Sequence, residues 1–115
     1  MANVKQALKE VFNVPSRGVL PIVTGQRWGD RKRFPNLCVL LGYKTGVEIG
    51  VRSGGFSELF CREGMEMWCV DPWSPCPNYS QARQDRHYAE AVKRLEPYNV
   101  HFVKKTSVDA LADIP

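Results

Sequence analysis

Gly46-Val47-Glu48-Ile49-Gly50-Val51-Arg52-Ser53-Gly54-Gly55-Phe56-Ser57-Glu58 is the stretch whose reading decides the fold. Gly46 to Val51 reads as a short buried strand of a parallel sheet. Gly54-Gly55 is a turn. Phe56 to Arg62 has helical spacing and meets Gly64, a residue suited to the position after a helix end. Met65 to Val70 is then a second strand, stopped by Asp71-Pro72.

The pattern extends outward in both directions. Pro75 and Pro77 hold an extended loop, and residues 79 to 96 form the longest helical pattern, with Tyr88, Ala91, Val92 and Leu95 on one stripe. Val100 to Val103 is a third strand, and Ser107 is positioned to cap a last short helix through Asp113. The order from residue 46 is β-α-β-α-β-α, which implies three parallel strands with right-handed crossover helices, an α/β fold. Upstream, Val4, Ala7, Leu8, Val11 and Phe12 recur at helical spacing behind a capping Asn3. Val14-Pro15-Ser16-Arg17-Gly18 breaks that helix, and residues 19 to 33 are irregular by pattern. Pro35 predicts the first turn of a second helix over 35 to 41, with Gly42 just past its end. The chain thus divides into an N-terminal helical arm, 1–45, and an α/β region, 46–115.

In parallel α/β sheets, ligands bind beyond the C-terminal ends of the strands. Three features converge there: Gly50 to Gly55, Asp71, and Thr106-Ser107. Glycine lets backbone approach a ligand and adopt positive φ, and the amides opening the helix at Phe56 favour a carboxylate or phosphate. Asp71 lies about 20 residues after Gly50, the spacing of a ribose-binding acid. Glu48, inside the first strand, makes sense against a positive or hydrogen-bonding group of a ligand, because a buried carboxylate is otherwise costly. Read singly, Gly54-Gly55 is also an ordinary turn, Asp71 a strand terminator and Trp73 a packing residue.

A dinucleotide fingerprint fails, since its second glycine position is Arg52, and a phosphate-binding P-loop fails for want of lysine. S-adenosylmethionine fits better: it has a ribose for Asp71, an amino-acid end for the glycine turn, and cationic groups for Glu48. The segment from Gly46 to Glu58, with Trp68-Cys69-Val70-Asp71-Pro72-Trp73, resembles the class I S-adenosylmethionine-dependent methyltransferases. It looks most like a small branch with "GVEIGV-x-x-G-x-FSE" and "VDPW" motifs. It departs from the broader family's glycine spacing at Arg52 and Gly54. Tyr98 to Leu111 is similar to that family's third strand and following turn.

The resemblance implies the first half of a Rossmann-like methyltransferase fold, with strands in the spatial order 3-2-1. It implies Glu48, Gly50 and Gly54 beside the methionine part of the cofactor and Asp71 on the ribose. It also implies Trp73 on the adenosine side and Thr106 with Ser107 near the adenine. It names no general base, and the family's fourth-strand acidic motif, "D-x-x-Y-I-D-G-x-H", does not occur in the chain. Residues 47–51 are then expected to form an open sheet edge that pairs with a second copy or with a complementing second half. Weak cofactor binding and little catalysis by the chain alone are expected with it.

Composition bounds these readings. At 115 residues and 43% hydrophobic, the chain has the size and apolar content of one small globular region. Its longest apolar run, Leu37-Cys38-Val39-Leu40-Leu41, is far too short to span a membrane. Cys38, Cys61, Cys69 and Cys76 lack zinc-site spacing, so no metal is expected. Free thiols without an export signal point to the reducing cytoplasm. His87 and His101 show no carboxylate or cysteine partner in the sequence and read as surface or half-buried residues rather than catalysts. A charge of +4 and the stretch Arg27 to Arg33 admit a phosphate-contacting arm or a solvated loop. Methyl transfer is therefore the leading expectation. A non-catalytic binding or assembly module is second, and a basic nucleic-acid binder third, without the aromatic-basic interleaving of a known nucleic-acid module.

Overall fold

The computed structural model describes residues 3–12 and 28–115. The helix break at Val14 to Gly18 and the irregular run from residue 19 to 27 lie outside them. The chain forms two compact units, Met1–Lys44 and Thr45–Pro115.

The first unit is a pair of helices, α1 (Val4–Phe12) and α2 (Trp28–Leu40). The Asn3 side chain accepts the Lys5 amide at 2.9 Å, so Asn3 does cap α1. Ala7 packs with Leu37 and Leu41, flanked by Leu8, Val11, Phe12, Phe34 and Leu40. The helix expected over 35–41 begins earlier: α2 starts at Trp28, and Pro35 lies inside it. An interior proline removes one helix hydrogen bond at a cost of about 3 kcal/mol, but the buried Pro35 ring returns apolar burial. The other end follows the sequence. Gly42, at φ 84°, donates to Val39, and Tyr43 donates to Cys38, which is a Schellman close.

The second unit is α/β. Its elements are β1 (Thr45–Ile49), α3 (Gly55–Arg62), β2 (Glu66–Val70), α4 (Gln81–Leu95), β3 (Val100–Val103) and a 3-10 turn, Asp109–Asp113. The three strands are all parallel in the order β1-β2-β3, with Val47 beside Trp68 and Trp68 beside His101. Parallel pairing requires crossovers, and α3 and α4 supply them. Ser80 caps α4 by accepting the Arg83 amide at 3.2 Å, and the helix buries His87, Ala91 and Leu95. Val70, Val103 and Ala110 form a core cluster with Trp68 and Ile114 against it. At one margin of the sheet, β1 leaves Val47 46% and Ile49 69% exposed.

Candidate functional site

Gly50 and Gly54 open and close the turn that leaves β1, at φ 85° and 81°. Each conformation is cheap only for glycine, yet the two differ in surroundings. A Cβ on Gly54 would stand 3.1 Å from Leu95 Cδ1 and 3.3 Å from Ala91 Cα, so glycine lets α4 pass close to the start of α3. A Cβ on Gly50 would meet nothing within 4 Å. Gly50 faces open space at the C-terminal end of the strand.

The turn is fixed by side chains from three other places. Asp71 Oδ2 accepts the amides of Val51 and Arg52 at 2.9 and 3.0 Å, and Oδ1 accepts the amide of Trp73 at 2.8 Å. The Trp73 indole donates to the Arg52 carbonyl at 2.8 Å, and Arg94 donates to the Ser53 carbonyl at 3.0 Å. Arg52 and Trp73 both adopt positive φ, at 56° and 45°. For a side chain as large as these, that is an uncommon and costly conformation. The hydrogen bonds around Asp71 over-determine it.

These contacts redistribute the expected roles. Of the roughly four acceptor positions a carboxylate offers, three on Asp71 already serve backbone amides, and one remains on Oδ1. That suits one incoming hydroxyl rather than two. Trp73 is completely buried, edge-on to Tyr88 at 4.7 Å and near Phe102 at 6.3 Å. It braces the turn from inside and offers no exposed face to an adenosine. Thr106 and Ser107 are exposed beyond β3. Thr106, rather than Ser107, caps the last turn, its Oγ1 accepting the Asp109 amide at 3.3 Å.

Glu48 is half-buried on the β1 face toward α3. It accepts a short hydrogen bond from the fully buried Ser57 hydroxyl, which in turn accepts from the Cys69 thiol at 3.4 Å. This chain orients the carboxylate from below. Burial, with the nearby Cys69, Glu58 and Glu48, pushes the Cys61 thiol up to about 11. Burial likewise raises Cys69. Both therefore stay protonated and unreactive at neutral pH.

Both histidines have partners. His87 is buried, with Nδ1 3.2 Å from Gln84 Oε1 and its ring edge-on to Tyr79. His101 lies 3.0 Å from Glu66 and stacks on Trp68. Arg31 to Arg33 lie on helix α2 rather than in an irregular stretch. Among the described residues no three His, Cys, Asp or Glu side chains gather to hold a metal, and no helix is long and apolar enough to cross a membrane. A cavity of about 680 Å³ lies between α4 and β3, lined by Tyr88, Val92, Tyr98 and Phe102 among others. None of the glycine turn, Asp71 or Thr106 lines it.

Sequence reasoning missed Ser57, Arg94 and the hydrogen bond from the Trp73 indole to the turn. Arg52 carried a signal, as the residue that broke the fingerprint. Compared with models of known families, with curated proteins and with solved structures, the chain finds no match.

Proposed function

We propose that the strand ends of the α/β unit bind S-adenosylmethionine and that the chain serves methyl transfer to an acceptor molecule. The observation that carries this reading is Gly50: its backbone favours glycine, its missing side chain faces open space, and it directly follows the strand that carries Glu48. Glu48, oriented by Ser57, offers negative charge to an ammonium group. The amides at the start of α3 favour the carboxylate of the same amino-acid end. Asp71 keeps one acceptor position for a ribose hydroxyl, and Thr106 and Ser107, exposed beyond β3, are assigned to the adenine. The cofactor supplies a methyl group on a sulfonium, so the protein's task is positioning and exclusion of water.

Titration calorimetry with S-adenosylhomocysteine tests the reading. Gly50→Val is expected to weaken binding at least tenfold. Gly64→Val is the control, because Gly64 has the same φ of 85° and equally open surroundings but precedes β2 instead of following a strand. Equal effects of the two substitutions would defeat the proposal.

A second reading, an assembly module, draws on the exposed Val47 and Ile49 of β1. An apolar strand at a sheet margin is a template for another strand. Sedimentation that shows a concentration-dependent dimer, lost in Ile49→Lys, would favour it. A monomer at all concentrations would count against it.

A further inference from the structure

Arg52 is a costly residue where it stands. At φ 56° glycine would be free of strain, and the turn's other two positive-φ positions, Gly50 and Gly54, are glycines. A side chain kept at such a position marks a use for that side chain. The Arg52 guanidinium lies 5.4 Å from the centre of the Tyr79 ring, and the Arg83 guanidinium lies 5.0 Å from the same centre. Two cations thus share one aromatic ring, drawn together despite their repulsion. Among the described residues, neither is paired with a carboxylate.

The ring between them is well anchored. Tyr79 closes a tight turn with Cys76 through two backbone hydrogen bonds, 3.0 and 3.1 Å long. Its ring packs edge-on against the buried His87 at 5.1 Å. The start of α4 is tied to the preceding loop, Gln81 donating to the Trp73 carbonyl and Gln84 to the Ser74 carbonyl. Arg52 is fixed at its backbone by Asp71 and Trp73. A guanidinium lying over a ring still has its in-plane N–H donors free, and these match phosphate or carboxylate oxygens.

We propose that Arg52, Arg83 and Tyr79 form a receptor for an anionic group, phosphate or carboxylate, on the small molecule that accepts the methyl group. The receptor stands on the arginines alone. Its assignment to the acceptor rests on the cofactor reading above, because Arg52 belongs to the glycine turn.

Inorganic pyrophosphate and tricarballylate, titrated into the full chain and followed by calorimetry, probe the two sources of anionic oxygen. At least one is expected to bind, and Arg52→Gly and Arg83→Gln are each expected to weaken it at least tenfold. Arg52→Gly suits the backbone, so its melting temperature is expected to match or exceed the parent's while binding is lost. Arg62→Gln, which removes a guanidinium paired with Glu58, is the charge control and is expected to leave binding within twofold. Failure of both probes to bind, or equal losses in all three variants, would overturn the receptor. An oligonucleotide that binds far more tightly, with losses spread to Arg31, Lys32 and Arg33, would overturn the small-molecule assignment in favour of a nucleic-acid backbone. S-adenosylhomocysteine keeps the two proposals apart. Unchanged affinity for it in Arg83→Gln supports the pairing of sites. No affinity for it in the parent chain, with pyrophosphate binding intact, keeps the receptor and overturns its acceptor role.

Discussion

The turn leaving β1 and the turn leaving β3 occupy equivalent places, each just beyond the C-terminal end of a parallel strand. The first is held by Asp71, Trp73 and Arg94, all from distant positions, and contains two glycines and an arginine at positive φ. The second, Lys104 to Val108, is exposed throughout. It relies on Thr106 reaching the Asp109 amide and on a Lys105–Asp113 ion pair of 2.6 Å. A connection needs no more than that. Backbone kept in costly conformations needs outside support, and that support is concentrated after β1, at the strand end to which the proposed function assigns the cofactor.

The contrast can be broken by removing supports in turn. Trp73→Ala deletes a fully buried ring as well as the Arg52 bond, and about 4 kcal/mol of stability is expected to go with it in urea unfolding. Trp73→Phe keeps the ring packing, so it isolates the indole bond at about 1 kcal/mol. Asp71→Ala leaves three amides without their acceptor, and a loss of about 3 kcal/mol is expected by the same measurement. If Asp71→Ala cost no more than a surface change, the turn would be as loose as the one after β3.

Within the turn itself the two glycines differ in what surrounds them. Gly54→Ala meets both strained backbone and the Ala91 main chain, for about 2 kcal/mol. Gly50→Ala meets strain only, for about 1 kcal/mol. Thermal melts that rank the two the other way would contradict the packing described. Thr106→Ala, at the second turn, is expected to cost about 0.5 kcal/mol.

Much of this was legible in sequence because it is local. Apolar runs, glycines and Asp71-Pro72 mark the strand-turn-helix succession, and their order alone implies parallel strands. Gly42 and Asn3 announce helix ends through their own chemistry. The start of α2 was not legible, since Pro35 has two meanings: first-turn residue, or interior residue whose burial offsets a lost hydrogen bond. Neither was the His101–Glu66 pair, which exists only through the β2–β3 register. Asp71 was legible as an acid at a strand end, but its engagement by three backbone amides was not. That depends on how the turn folds back over it. For Trp73 the sequence admits packing and an adenosine-lining role alike, because nothing local says on which side of the turn an indole will lie, and its complete burial favours packing.

Asp71 also ties the opening of the turn to that of the sheet. Amides in an irregular turn ordinarily trade their protons with solvent within seconds, while strand amides wait for cooperative unfolding. Here Val51, Arg52 and Trp73 donate to the carboxylate of Asp71, the residue directly after the central strand, whose own amide donates to Val103 of β3. Their protons are therefore tied to the fate of β2 rather than to that of the turn. In deuterium exchange these three sites should persist with the sheet, as islands of slow exchange within a loop.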